Sequence, residues 1–182
     1  KFYPTENSAL TAYKLGEVTI LDTLSAIPPD LASDPSSSII AQDGDKIAAL
    51  FINNSDTLLS SKTTRQGLAY AIPDKSFGKI RALSPVASTS WAYNDLVKDY
   101  EYDESRAKTL FTQDIKNPGE VKIELKTMLP YLDVAESIAS SWRQVLGVMV
   151  DVKVVSSVSS DYQIILADFT PPKDPDQYTL WH

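Results

Sequence analysis

The sequence has 182 residues, with no cysteine and a single histidine, His182, at its last position. Without cysteine, the chain cannot form disulfide bonds, use a thiol nucleophile or bind zinc through thiolates. A Ser-His-Asp triad needs an imidazole held in a fixed orientation, and we do not expect this of a terminal residue. The composition therefore argues against enzymes that depend on thiol or imidazole chemistry.

Basic residues are also few, since 17 Lys and Arg face 24 Asp and Glu, which gives a formal net charge of -7. Nucleic-acid binding requires a basic face, so we expect no nucleic-acid partner. The six glycines form neither a G-x-G-x-x-G motif nor a P-loop, and no apolar run approaches the roughly 20 residues of a membrane-spanning helix. With 43% apolar residues, the chain can still bury a core.

The regular elements predicted from hydrophobic periodicity alternate between strand and helix in the second half of the chain. An uninterrupted apolar run over 47–52 predicts a strand buried on both faces. Four further segments follow as strand, helix, strand and strand, at 121–125, 134–146, 148–155 and 162–167. This order predicts an α/β or mixed α+β fold, with a mixed sheet flanked by helices.

Three further helices and one strand complete this prediction. Asn7 or Ser8 is expected to cap the first helix, which ends at Gly16, before a short strand over 18–21. A second helix is expected over 63–72, and a third begins after Asp103.

Aromatic residues in irregular sequence are the best candidates for a binding surface, because large rings are common there. Those in the segment 76–102 and near the end of the chain are Trp91, Tyr93, Tyr100, Tyr102, Phe169, Tyr178 and Trp181. The alternative is that Trp91 and Tyr93 only attach a long loop to the core. Trp142 lies on an apolar helical stripe and is expected in the core, and Arg65 is expected to form a structural ion pair.

Paired carboxylates occur at Asp43 and Asp45 and again at Asp174 and Asp176. Neither pair has the 12-residue loop with alternating ligands of a calcium site, so we interpret both as turn residues and expect no metal. A glycosidase using two of the 24 acidic residues remains open on composition alone, although no pair stands out.

Five blocks, in order, resemble the extracellular solute-binding proteins of ABC importers that take oligopeptides, dipeptides, nickel and some oligosaccharides. ALTAYKLGEVTIL resembles a helix followed by a GEVDI strand, and ALFINNSDTLLSSKTTRQGLAYA resembles a strand, a loop and VRQALAYAID. YEYDESRAKTL resembles YDPEKAKALL. The segment 121–154 resembles the family's strand, VAEAIQ…W helix and LGIKVEV strand, and 162–181 resembles YDIILAGW…DPDxYxxxW.

The resemblance implies a periplasmic-binding-protein-like fold in which two lobes close on a solute without covalent chemistry or a cofactor. Residues 1–45 would form the end of lobe one, and 46–182 would form most of the C-terminal lobe, cut from a longer parent. The parent would be an extracellular protein, lipid-anchored at the cell surface or periplasmic, monomeric, and would deliver its solute to a membrane permease. An oligopeptide is the expected solute.

Several site residues follow from the resemblance by position. Asn53 matches the family's Asn at the lobe crossover, Phe169 replaces its cleft Trp, and Asp174 with Pro175 matches its Asp-Pro. In peptide-binding members, an acidic residue shortly after that Trp pairs with the peptide amino terminus, but Pro171 occupies the corresponding position here. Asp168 or Asp174 would have to substitute for it. The expected ligand-binding residues are Asn53, Trp91, Asp168, Phe169, Asp174, Tyr178 and Trp181.

Three alternatives to an oligopeptide receptor remain open at this point. A sugar or another uncharged oligomer could stack on Trp91, Phe169 or Trp181 in a receptor of the same fold. A small carboxylate-dependent hydrolase on an α/β scaffold is the alternative from another functional class. The third is an interaction module that binds no small ligand.

Overall fold

The computed structural model describes residues 1–22, 24, 27–40, 46–77, 80–172 and 174–178. The chain divides into two compact units, Lys1–Asp43 and Gly44–His182, which are described separately.

The first unit is built around helix α1 (Glu6–Lys14), with a short helix α2 (Pro29–Ala32) after it. Thr5 caps α1 by accepting a hydrogen bond from the Ser8 backbone N–H at 3.2 Å, so the predicted cap at Asn7 or Ser8 is wrong. Gly16 ends the helix as predicted, in the left-handed region at φ +73°. The strand predicted for 18–21 is wrong, because these residues have irregular backbone and pair with no described strand.

The described residues of the second unit form a four-stranded mixed sheet in the order β1-β4-β2-β3. Its strands are β1 (Ile47–Ile52), β2 (Lys122–Met128), β3 (Met149–Val155) and β4 (Ile164–Phe169). β1 runs antiparallel to β4, whereas β4, β2 and β3 run parallel to one another. The predicted mixed α/β fold class is therefore confirmed.

Within the described part of this unit, three helices accompany the sheet: α3 (Lys62–Tyr70), α4 (Glu104–Asp114) and α5 (Leu132–Leu146). Single 3-10 turns precede β2 at Pro118–Glu120 and α5 at Leu129–Tyr131. Asp103 caps α4 as predicted, since its carboxylate accepts the Arg106 backbone N–H at 2.8 Å. Gly147 ends α5 at φ +73°, also as predicted.

The core lies between these helices and one face of the sheet, where Leu125, Ile164 and Leu166 are buried. Trp142 is fully buried, as predicted, and its indole N–H donates to the Leu68 carbonyl at 2.9 Å. A buried ring whose polar atom is paired in this way fixes the position of α5 relative to α3.

Helices α3 and α4 pack closely at Gly67. A Cβ atom at this position would lie 3.0 Å from the Ala107 carbonyl oxygen and 3.1 Å from the Phe111 Cβ. Glycine lets the two helices approach each other here because it has no side chain to separate them.

Two predictions about residues in this unit need correction. β1 was expected to be buried on both faces, but it is an edge strand, and most of its side chains are only half-buried. An open groove of about 550 Å³ lies beside it, lined partly by Leu50 and Ile52. Arg65 was expected to form an ion pair, yet its guanidinium donates to the backbone carbonyls of Leu59 and Ser60, both at 2.7 Å.

Candidate functional site

The carboxyl ends of the three parallel strands lie at one edge of the sheet, which we call the carboxyl edge. It is formed by Met128 of β2, Val155 of β3 and Phe169 of β4, together with the turn Leu129–Tyr131. Ligands of open α/β sheets bind in the crevice outside the carboxyl ends of such strands. The carboxyl edge is therefore the first place to look for a solute site.

Asp168 and Tyr131 meet at this edge. Thr127 of β2 pairs with Leu166 of β4, and two residues further along β4 the exposed Asp168 projects on the same face as Leu166. The turn after β2 leads into α5, and it brings the Tyr131 hydroxyl to Asp168, where it donates a hydrogen bond to Oδ1. Partial burial, followed by this contact with the Asp168 carboxylate, raises the pKa of Tyr131 to about 12.

No cation offsets the charge of Asp168 within the part of the chain that the structure describes. The ion pairs found there join other carboxylates to Lys and Arg, and Tyr131 is the described hydrogen-bond partner of Asp168. A carboxylate accepts several hydrogen bonds, and the Asp168 side chain is exposed.

Phe169 follows Asp168 but points to the opposite face of the sheet, because side chains alternate along a strand. Its half-buried ring contacts Phe51 of β1 edge to face, with 6.1 Å between ring centroids and 70° between the planes. The carboxyl edge thus combines an exposed carboxylate on one face with the Phe169 ring on the other.

Asn53 lies at the other end of this strand pair, since its backbone N–H donates to the Gln163 carbonyl just before β4 begins. Its side chain donates to the Tyr162 carbonyl at 3.0 Å and accepts the Ser55 N–H at 3.0 Å. Five residues of strand, roughly 16 Å, separate Gln163 from Asp168. The structure therefore does not bring Asn53 together with Asp168 and Phe169.

The segment after β4 contacts the long connection between α3 and α4 through Gln177. This residue is 6% exposed, and its side-chain amide donates to the Pro85 carbonyl at 3.0 Å. Asp174 accepts the Asp176 backbone N–H at 3.0 Å, which is a turn contact, and Tyr178 is largely exposed. Sequence patterns gave no sign of Gln177, because its burial depends on two segments that are far apart in the chain.

The connection between α3 and α4 is attached to the core by Tyr100 rather than Trp91. Tyr100 stacks edge to face on Tyr70 with 5.2 Å between ring centroids, and its hydroxyl accepts from the Gln66 amide at 3.2 Å. Trp91 is 87% exposed, so the alternative in which it attaches the loop to the core is wrong. Its ring and that of Tyr178 are exposed, whereas Trp181 lies outside the described residues.

Two negative findings apply to the residues that the structure describes. They contain no group of three or more His, Cys, Asp and Glu side chains that could hold a metal ion. None of their helices combines the length and the hydrophobicity needed to cross a membrane. The carboxylate pair at Asp43 and Asp45 falls outside the described residues.

Comparison with known proteins assigns the chain to a family. Residues 1–182 match the family described as "Bacterial extracellular solute-binding proteins, family 5 Middle". The dipeptide-binding protein of Escherichia coli strain K12 is 27% identical in an alignment 178 residues long, which covers 83% of this chain and 32% of that protein. Heme-binding protein A of Haemophilus influenzae is 29% identical in an alignment 90 residues long, which covers 46% of this chain and 16% of that protein.

A similar fold occurs in a solved structure of the periplasmic binding protein DppA from Helicobacter pylori in complex with the peptide STSA. Its TM-score is 0.70 at 20% identity, and the match covers 100% of this chain and 39% of that one. The chain thus spans between a sixth and two fifths of the length of these relatives. Since the family match extends over every residue, the chain belongs to the bacterial extracellular solute-binding proteins of family 5, which are binding proteins and not enzymes.

Proposed function

We propose that this chain is part of the substrate-binding component of an ABC importer, which captures an extracellular oligopeptide between two lobes and delivers it to a membrane permease. The observation that carries the proposal is the family match over residues 1–182. A dipeptide-binding relative and a neighbour of similar fold with a bound peptide favour a peptide over a sugar.

In this proposal, residues 1–45 form the end of lobe one and residues 46–182 form most of the C-terminal lobe. The carboxyl edge faces the solute, with Asp168 as the polar contact and Phe169, Trp91 and Tyr178 as aromatic contacts. Asp174 and Trp181, which follow β4 in the sequence, are further proposed contacts. Asn53 is the remaining proposed contact, although its side chain already bonds to Tyr162 and Ser55.

The parent would work outside the cytoplasmic membrane, either lipid-anchored at the cell surface or free in the periplasm, and as a monomer. Its partners would be the solute and the permease. A solute that touches both lobes stabilises the closed state, because binding energy shifts a conformational equilibrium only through different contacts in its two states. We therefore expect the 182-residue chain to bind solute more weakly than a protein with both lobes.

Native mass spectrometry of a form with both lobes tests the proposal. We expect a co-purified peptide, seen as additional mass that is released on denaturation and sequenced by fragmentation. A bound oligosaccharide would contradict the peptide assignment and support the sugar receptor. Preparations that carry no ligand and do not bind members of a peptide library would contradict solute capture altogether.

A further inference from the structure

We propose that Gln177 is a positioning residue of the solute site, which fixes the connection between α3 and α4 so that Trp91 presents its ring to an aromatic side chain of the solute. This inference rests on the proposed function and adds to it both a residue and a solute group. Gln177 acts through Trp91, whereas Trp91 makes the contact with the solute.

The contact made by Gln177 joins two segments that are far apart in the chain. Its side-chain amide donates to the Pro85 carbonyl at 3.0 Å, and only 6% of the residue is exposed. Breaking a hydrogen bond shielded from water is costly, because a buried amide that loses this partner does not recover the bond from solvent. Gln177 therefore holds the connection against the segment that leaves the carboxyl edge after β4.

Trp91 follows Pro85 through two consecutive turns. The Ser90 N–H donates to the Ala87 carbonyl at 2.9 Å, and the Tyr93 N–H donates to the Ser90 carbonyl at 3.0 Å. Trp91 lies inside the second turn, and hydrogen-bonded turns leave the backbone few alternative conformations. Holding Pro85 in place therefore also restricts the position of Trp91.

The two large rings of this connection differ in what surrounds them. The ring of Tyr100 meets that of Tyr70 edge to face at 5.2 Å, and Lys98 Nζ lies 5.0 Å from its centroid. Trp91 is 87% exposed, and no ring or cation–π contact involves it within the part of the chain that the structure describes. The faces of its indole are therefore not used by the described part of the fold.

An exposed indole on a restricted backbone is suited to an aromatic partner. Aromatic rings attract one another by more than the effect of the buried area alone. A ring that is already held in place loses little entropy when a second ring stacks on it, so the binding energy is not spent on ordering the connection. We therefore expect the solute site to prefer a phenyl ring to an aliphatic side chain of similar size.

The test compares two peptides that differ at one side chain, namely Ala-Phe-Ala and Ala-Leu-Ala. Each is titrated into the isotopically labelled 182-residue chain at pH 7, where NMR chemical shifts detect even millimolar binding. We expect Ala-Phe-Ala to bind about fivefold more tightly, as one aromatic pair would give, with shift changes at 90–93.

Three variants and one double variant separate the roles. Trp91→Ala should abolish the preference for Ala-Phe-Ala, and Gln177→Met, which keeps the length of the side chain but not the donor, should reduce it to about twofold. In the Trp91→Ala background, Gln177→Met should have no further effect on the affinity for Ala-Phe-Ala, because Gln177 acts through Trp91. Gln113→Met, at an exposed glutamine of α4, is the matched control and should leave the preference unchanged. Thermal unfolding checks that every variant is folded.

The contrary outcomes can be told apart. If Gln177→Met keeps the full preference, or weakens binding equally with and without Trp91, Gln177 does not position Trp91 and the inference is overturned. If both peptides bind the unaltered chain equally, Trp91 does not receive an aromatic side chain, and the inference falls while the proposed function stands. If neither peptide binds, the inference is overturned for this chain, and the ligand co-purified with the two-lobed protein decides the proposed function separately.

Discussion

The two ends of β4 carry similar kinds of polar residue but use them differently. Before the strand begins, the Gln163 side chain accepts the Glu124 backbone N–H at 2.7 Å and donates to Asp56 at 3.2 Å, and Asn53 donates to the Tyr162 carbonyl. After the strand, Asp168 is exposed and bonds to Tyr131. At the amino end, the polar side chains bond to other groups of the chain. At the carboxyl end, the exposed Asp168 has one described hydrogen-bond partner, Tyr131.

This difference bears on how a family pattern is transferred to a new sequence. Asn53 and Asp168 were both candidates for solute contact, yet the bonds of Asn53 join β1 to the start of β4 and suit a structural role. Closed networks of this kind contribute mainly to stability, and open acceptors are available for ligands. Substitutions at the amino end should therefore change the stability of the fold, whereas substitutions at the carboxyl end should leave stability nearly unchanged.

The largest effect is expected for Gln163→Leu at the amino end. It removes an acceptor and a donor from a half-buried site and leaves the Glu124 N–H and Asp56 without these partners, so the free energy of unfolding should fall by about 2 kcal/mol. Urea unfolding measures this. Gln144→Leu, on the exposed face of α5, is the control and should change stability by less than about 0.5 kcal/mol. If Gln163→Leu lowered the free energy of unfolding by no more than Gln144→Leu, the hydrogen bonds of Gln163 would contribute nothing measurable to stability.

A smaller loss, about 1 kcal/mol, is expected for Asn53→Ala, because the Tyr162 carbonyl and the Ser55 N–H lose one hydrogen bond each. The neighbouring Asn54 is exposed and is the matched control, with little change expected for Asn54→Ala. Chemical denaturation of the two variants side by side measures this difference in the free energy of unfolding. A neutral Asn53→Ala substitution that weakens peptide binding would instead place Asn53 in the solute site.

At the carboxyl end, Asp168→Asn should lower the pKa of Tyr131 from about 12, since the negative charge that opposes ionisation is lost. The pKa should stay above its ordinary value of 10, because burial is the larger cause of the shift. The raised pKa favours the folded state fully below pH 10, and this contribution disappears as the pH rises towards 12. NMR titration of the tyrosine Cζ resonance provides the measurement, and an unchanged pKa would disprove the contact.

The smallest effect is expected for the stability of the same Asp168→Asn variant at pH 7. The Asn amide oxygen can still accept from Tyr131, and the side chain is exposed, so the free energy of unfolding should change by less than about 0.5 kcal/mol. A loss as large as that of Gln163→Leu, measured in the same urea series, would remove the distinction between the two ends.

Local signals in the sequence were sufficient for much of the fold. Asp103 before α4 and Gly147 after α5 were identified because capping and left-handed glycine depend on a few neighbouring residues. The strands at 121–125 and 148–155 were recognised by alternation and observed as β2 and β3. Trp142 was placed in the core by its position on the apolar stripe of α5.

The errors concern properties that depend on distant partners. The run at 47–52 is as apolar as a central strand, but its place at the sheet edge follows from the strand order, which no local pattern contains. The partner of Arg65 is the backbone of the preceding loop, and no pattern of charged residues could reveal it. The contact of Tyr131 with Asp168 was missed because it depends on the β2–β4 register together with the turn into α5.

The close approach of α3 and α4 at Gly67 limits what consensus engineering can achieve in this chain. The VRQALAYAID pattern that this segment resembles has alanine at the corresponding position, and Gly→Ala within a helix normally adds about 1 kcal/mol of stability. Here the new methyl group would lie 3.0 Å from the Ala107 carbonyl oxygen, so α4 would have to move by a few tenths of an ångström. A design that copies the commonest residue at each position should therefore keep glycine at 67, or change Ala107 and Phe111 together with it.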